Sequence, residues 1–150
     1  RPDILTTAKG VASGLPLGAT LCADWIADGA ASHGSTFSGN PVVAAAANAT
    51  LEELVAQDVP GHAAMVGDYL TTQLAEAVEE HDLPVREVRG EGLMIGIEVK
   101  RGANRYLRDL ALNHQILALP AGRSVLRLLP PLVVNEGHAR EVVDALTEVL

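Results

Sequence analysis

Lys9 is one of only two lysines in the chain, the other being Lys100, and its neighbours in Thr6-Thr7-Ala8-Lys9-Gly10-Val11-Ala12-Ser13-Gly14 are small. An amine with open space around it can serve as a nucleophile or a base, and glycine lets the backbone pass close to a bulky ligand. Apolar, strand-like runs flank it at residues 4–7 and 17–23. Lysine is strongly hydrated and costly to bury, so one set between two core-type strands needs a partner or a chemical task. A turn lysine with its amine in water satisfies the same pattern.

A second group lies in His33-Gly34-Ser35-Thr36-Phe37-Ser38-Gly39-Asn40-Pro41, a glycine-rich hydroxyl loop that opens an alanine-rich stretch. Adjacent hydroxyls on flexible backbone suit an anion such as a phosphate. Ser and Thr ahead of a helix also serve simply to satisfy backbone groups. Farther on, Arg127 sits mid-strand on the face of Val125 and Leu129. Its guanidinium is either an edge-strand side chain reaching solvent or a fork that grips a carboxylate with two parallel hydrogen bonds.

The elements that must position these groups follow from periodicity. Residues 2–7 read as a buried strand entering the Lys9 turn, with 17–23 as its neighbour. Residues 24–32 read as a turn or a loose helical piece. Asn40 is suited to cap the next helix, with Pro41 at its first position, where a missing N–H does no harm. Val43, Ala47, Leu51, Leu54 and Val55 mark the apolar face of that helix through Ala56. Val59-Pro60-Gly61 reads as a break, so one domain is expected over residues 1–58 and a smaller α+β domain over 59–150. In the second, a helix from His62 to His81 is expected to bury Val66, Leu70, Leu74 and Val78. Strands are expected at 85–89 and 93–100, with Leu93, Ile95, Ile97 and Val99 alternating onto one face. A helix over 101–114, short strands at 116–119 and 125–129, and a final helix capped by Asn135 complete the reading.

Composition bounds the function. A 150-residue chain that is 48% hydrophobic can bury a sizeable core, and its net charge of −8 argues against non-specific binding to nucleic acid or an anionic membrane. The lone Cys22, expected as a small core residue, allows no internal disulfide and fits a reducing cytoplasm. Gly90-Glu91-Gly92 with Gly96 is one residue too long for a dinucleotide loop, and a strand follows it rather than a helix. The five histidines are scattered without metal-site spacing, and no G-x-S-x-G occurs to support a serine hydrolase.

Taken together, T-T-A-K-G-V-A-S-G-L-P-L-G-A and H-G-S-T-F-S-G-N-P resemble the class III aminotransferases, within them the acetylornithine and ornithine group. R-G-E-G-L-M at Arg89 to Met94 and L-R-L-L-P-P-L at Leu126 to Leu132 extend the likeness along the chain. The resemblance implies an α/β chain: the C-terminal part of a fold type I pyridoxal-phosphate enzyme, ending the large cofactor domain and adding the small one. Family members are more than twice this length, and the groups that stack on the cofactor ring and pair with its nitrogen are expected in a preceding segment. The resemblance assigns Lys9 as catalytic and cofactor-binding, Thr36 as a phosphate donor reaching across a homodimer into the partner's site, and Ser35 as a lining of both cofactor and substrate pockets. It assigns Arg127 to the α-carboxylate of the amino acid substrate and of 2-oxoglutarate. The implied reaction moves the terminal amino group of acetylornithine, or a related N-acylated ornithine- or lysine-type donor, to 2-oxoglutarate in arginine or lysine biosynthesis. Ornithine and 4-aminobutyrate are the alternative donors. The alternative of another class is a non-catalytic chain that only dimerises or supplies Lys9.

Overall fold

The computed structural model describes residues 2–30 and 34–150, and the chain divides into two compact units, Arg1–Gln57 and Asp58–Leu150. The first unit holds an antiparallel ribbon of β1 (Ile4–Thr7) and β2 (Ala19–Cys22), with Ile4 opposite Cys22 and Thr7 opposite Ala19. A single 3₁₀ turn, Lys9–Ala12, lies in the connection between the strands, and the short α1 (Asp24–Ala27) and longer α2 (Pro41–Ala56) follow. His33 and the end of the expected 24–32 turn lie outside the described residues. The Asn40 cap forms as its chemistry dictates: its side-chain oxygen accepts from Val42 N and Val43 N, with Pro41 in the first turn.

Burial in this unit departs from the sequence reading. Ile4 and Leu5 are 54% and 48% exposed, so β1 is not a buried strand within this chain. A two-stranded ribbon has no second layer of its own to cover either face. Cys22, expected in a core, is exposed on the same ribbon. On α2, Ala47 is buried while Leu51 and Val55 face outward.

The second unit is a four-stranded antiparallel sheet in the order β3–β4–β6–β5, built from β3 (Val85–Glu91), β4 (Met94–Val99), β5 (Leu119–Ala121) and β6 (Val125–Leu128). Helices α3 (Val59–Glu80), α4 (Asn104–Asn113) and α5 (Glu136–Val149) supply the apolar layer, with α3 packed on both α5 and β3. The expected alternation holds: Leu93, Ile95, Ile97 and Val99 are all buried, joined by Leu126 and Leu128 from β6. Val66, Leu70 and Leu74 of α3 close over them as the helical spacing requires.

The chain break falls earlier than Val59-Pro60-Gly61, which is the first turn of α3. Asp58 caps that helix in the left-handed region at φ 46°, its carboxylate accepting from Gly61 N. Proline is tolerated in a first turn because the N–H it lacks has no helical partner there. The strand expected over 116–119 begins only at Leu119. Asn135 caps α5 in a reciprocal box, accepting from His138 N while His138 Nδ1 accepts from Asn135 N.

Glycines set how α3 meets the sheet. A Cβ built on Gly67 would stand 2.1 Å from the carbonyl oxygen of Gly92, which turns β3 into β4 at φ 51°. A Cβ on Gly90 would reach 2.6 Å from Met94 O. The spacing of Arg89-Gly90-Glu91-Gly92 is therefore that of a tight hairpin under a closely seated helix.

Candidate active site

Lys9 opens the 3₁₀ turn with φ 55°, left-handed backbone that a residue with a Cβ adopts at a cost of about 1–2 kcal/mol. The preceding Ala8 is extended, and Ser13 closes the turn, also left-handed at φ 48°. Such strain persists only where the surroundings impose it. Here they do. Ala12 is fully buried in the first unit, whose helix α2 packs on the turn and buries Ala47. Thr50 Oγ1 donates to Ala46 O at 2.8 Å, which uses its one proton, so Ser13 Oγ donates to Thr50 Oγ1 at 2.9 Å. The Lys9 side chain is exposed, and no ion pair engages its amine among the described residues. Among the described residues a Cβ on Gly10 would meet nothing within 4 Å, which leaves open space beside the lysine there.

Ser35 and Thr36 lie in the same unit, in the turn that leads into α2. Ser38 N donates to Ser35 O at 3.1 Å and Asn40 N to Phe37 O at 3.3 Å. These are backbone bonds; among the described residues neither the Ser35 nor the Thr36 hydroxyl is spent on satisfying the turn. The first free donors of α2, Val42 N and Val43 N, are taken by Asn40, so an anion here would be held by hydroxyls rather than by the helix end. Helix α2 thus carries both groups. It braces the Lys9 turn at Thr50 and extends the hydroxyl loop from Asn40, ten residues and about 15 Å along the axis away.

Arg127 belongs to the second unit. It is not an edge residue: β6 lies between β4 and β5, and Arg127 pairs in register with Gly96 on one side and Leu119 on the other. Its strand neighbours Leu126 and Leu128 point into the core, which puts Arg127 on the opposite face. Arg127 Nε is the one buried side-chain nitrogen or oxygen without a hydrogen-bond partner among the described residues. A buried N–H left without an acceptor is destabilising by about 1–3 kcal/mol, so an acceptor brought to this guanidinium would be stabilising.

The other arginines on that face are already engaged. Arg89 Nη1 meets Glu87 at 2.6 Å and Glu98 at 3.1 Å, and Arg86 approaches Glu98 at 3.6 Å. The Glu98 hydrogen bond, followed by the charge of Glu87, pushes the Arg89 guanidinium further up from its already high value. An apolar hollow of about 80 Å³ on the helical side, lined by Val66, Leu70 and Val142 among others, brings no acid–base pair together. Its histidine, His138, is occupied by the Asn135 cap. His62 was not singled out by sequence, yet its Nε2–H donates to Val134 O at 2.8 Å and pins the loop that leaves β6. No local signal marks that contact, since the partners are 72 residues apart.

Comparison with known proteins gives these placements a context. Residues 1–150 match the family Aminotransferase class-III. The chain is 40% identical to the acetylornithine aminotransferase of Oceanobacillus iheyensis, over 99% of its own length and 37% of that protein. It is 41% identical to a putative [LysW]-aminoadipate semialdehyde/glutamate semialdehyde transaminase of Pyrobaculum aerophilum, over 99% of itself and 38% of the relative. Among solved structures, an amine transaminase from an uncultivated Pseudomonas species in its PLP-bound form superposes with a TM-score of 0.88 at 36% identity, covering 99% of this chain and 38% of that one. The chain therefore spans a little over a third of the length of the curated relatives it matches. It keeps their α/β fold from end to end, and it belongs to the class III aminotransferases.

Proposed function

We propose that this chain carries the catalytic lysine and the oxo-acid carboxylate anchor of an acetylornithine-type aminotransferase, which passes a terminal amino group to 2-oxoglutarate. The observation that carries the reading is Lys9: an exposed amine, unengaged by any ion pair among the described residues, on a left-handed turn braced by α2 in a class III chain.

Class III aminotransferases depend on pyridoxal phosphate, and the donor set here fits that group. Lys9 offers a primary amine beside an open glycine, and Ser35 and Thr36 offer hydroxyls unspent on the turn. Lys9 would hold the cofactor of its own site, and Thr36 with Ser35, about 15 Å away along α2, would bind the phosphate of a second cofactor by hydrogen bonds. Bound there, the cofactor supplies an aldehyde for amines and a ring that draws electrons from the carbon bearing the transferred nitrogen. Lys9 Nζ takes the proton from that carbon and holds it for return. In a homodimer, Thr36 serves the partner's cofactor.

Arg127 grips the carboxylate next to the reacting carbon, which is that of 2-oxoglutarate and of glutamate. A donor reacting at its terminal amine keeps its α-carboxylate several bonds from the chemistry, so Arg127 serves chiefly the acceptor half-reaction. Acetylornithine is the favoured donor on the likeness to the Oceanobacillus enzyme, and a carrier-bound aminoadipate semialdehyde type is the second reading on that to the Pyrobaculum protein.

The test is a transfer assay on the protein at its full natural length, with 2-oxoglutarate as acceptor and glutamate as the measured product. Acetylornithine is expected to give the highest kcat/KM, ahead of ornithine and 4-aminobutyrate. A clear preference for either of those would overturn the donor assignment.

A further inference from the structure

On the outer face of the sheet, the row running across the strands is Arg89, Gly96, Arg127 and Leu119. Arg127 thus has four neighbours on that face: Gly96 and Leu119 across the ladder, Val125 and Leu129 along its own strand. Three are aliphatic. Only Gly96 has no side chain, and a Cβ built on it would meet just Val125 Cγ1 at 3.3 Å and Arg89 O at 3.9 Å. No guanidinium atom of Arg89 or Arg127 comes within 4 Å of that point. The β4 backbone at Gly96 is therefore the floor of a trough between two arginine side chains whose Cα atoms stand roughly 10 Å apart, two strand spacings.

The two walls differ. Arg89 is neutralised by Glu87 and Glu98, whereas Arg127 Nε is buried with no acceptor among the described residues. Leu119, Val125 and Leu129 flank its other sides, Leu119 and Leu129 themselves half exposed. With no side chain at Gly96 the approach to Arg127 over β4 is open there, and the neighbouring Glu98 has its carboxylate turned to Arg89 and Arg86.

We propose that Gly96 is a specificity-determining residue: its missing side chain forms the seat in which the flat carboxylate–carbonyl unit of a 2-oxo acid lies while Arg127 grips the carboxylate. This rests on the assignment of Arg127 to the oxo-acid carboxylate. A 2-oxo acid is planar across those two groups, so it can lie on bare backbone where a tetrahedral carbon would stand off. A methyl group at position 96 occupies that floor.

The experiment compares Gly96→Ala, Val125→Ala, the double variant and Arg127→Lys in the full-length enzyme, with KM measured separately for the donor and for 2-oxoglutarate. Circular dichroism and a thermal melt confirm folding. Gly96→Ala and the Gly96→Ala/Val125→Ala double variant are both expected to raise KM for 2-oxoglutarate at least tenfold, leaving the donor KM within about twofold. Val125→Ala alone thins one flank of Arg127 without filling the floor, so it is expected to move the 2-oxoglutarate KM less than Gly96→Ala does, and a rise as large as that of Gly96→Ala would overturn the proposal. The double variant removes the 3.3 Å contact, so it also stands in if Gly96→Ala fails to fold. Restoration of the 2-oxoglutarate KM in the double variant would overturn the proposal, because Gly96 would then only make room for Val125. An unchanged KM in Gly96→Ala would overturn it as well. If Arg127→Lys leaves the 2-oxoglutarate KM unchanged, the carboxylate anchor itself is wrong, and the seat falls with it.

Discussion

Ser13 Oγ donates to Thr50 Oγ1 across 2.9 Å, tying the end of the turn that begins at Lys9 to the middle of α2. The bond holds two left-handed residues, Lys9 and Ser13, in backbone that each would leave if released. Thr50→Val removes the acceptor and keeps the shape. The expected loss is about 0.5–1.5 kcal/mol of stability. Cofactor affinity should fall severalfold as the turn relaxes. Denaturant unfolding and a pyridoxal phosphate titration read the two effects, and an unchanged titration would show that the turn is held by packing of Ala12 alone.

Helix α3 sits closely on the β3–β4 turn, with no room for a Cβ at Gly67. Gly67→Ala puts a methyl group 2.1 Å from Gly92 O, where backbone rather than a flexible side chain must yield. Overpacking of this kind is destabilising by about 1–3 kcal/mol and sometimes more. A urea midpoint equal to the parent's would contradict this account of the Arg89-Gly90-Glu91-Gly92 hairpin.

Arg127→Lys keeps the charge and loses the fork. A lysine presents a point charge where the guanidinium presents two parallel donors. KM for 2-oxoglutarate should rise tenfold or more while the donor KM moves little. Equal rises for both substrates would mean that Arg127 serves the donor's carboxylate too.

Asn135→Ala removes one half of the α5 capping box, where the side chain accepts from His138 N at 3.1 Å. The expected cost is about 1 kcal/mol. A thermal melt should show it without any change in KM, since α5 lies on the helical side of the sheet.

What could be read from sequence was what local chemistry decides. Asn40 and Asn135 announce helix starts because a short side chain followed by free N–H groups has a single good use there. The alternation of Leu93, Ile95, Ile97 and Val99 fixes one buried face because side chains in a strand repeat every second residue. The boundary between the units falls just before Val59-Pro60-Gly61, but those residues are the first turn of α3 rather than a linker, because Asp58 caps the helix. Burial misled where it depends on distant partners, as at Ile4, Leu5, Cys22 and Val55. At the candidate site, residue types and motif order picked out Lys9, Ser35, Thr36 and Arg127. The left-handed backbone at Lys9, the Ser13–Thr50 brace and the interior position of β6 arise from tertiary packing, which no local window contains.

The central claim is that Lys9 carries the cofactor. The most direct measurement is the visible absorption spectrum of the protein at its full natural length with pyridoxal phosphate, taken before and after borohydride, beside Lys9→Ala. Peptide mass mapping then follows. The account predicts a yellow band that borohydride removes, leaving a permanent cofactor adduct on the peptide containing Lys9, with no adduct in the variant. An adduct on any other residue, or one that survives in Lys9→Ala, would contradict it.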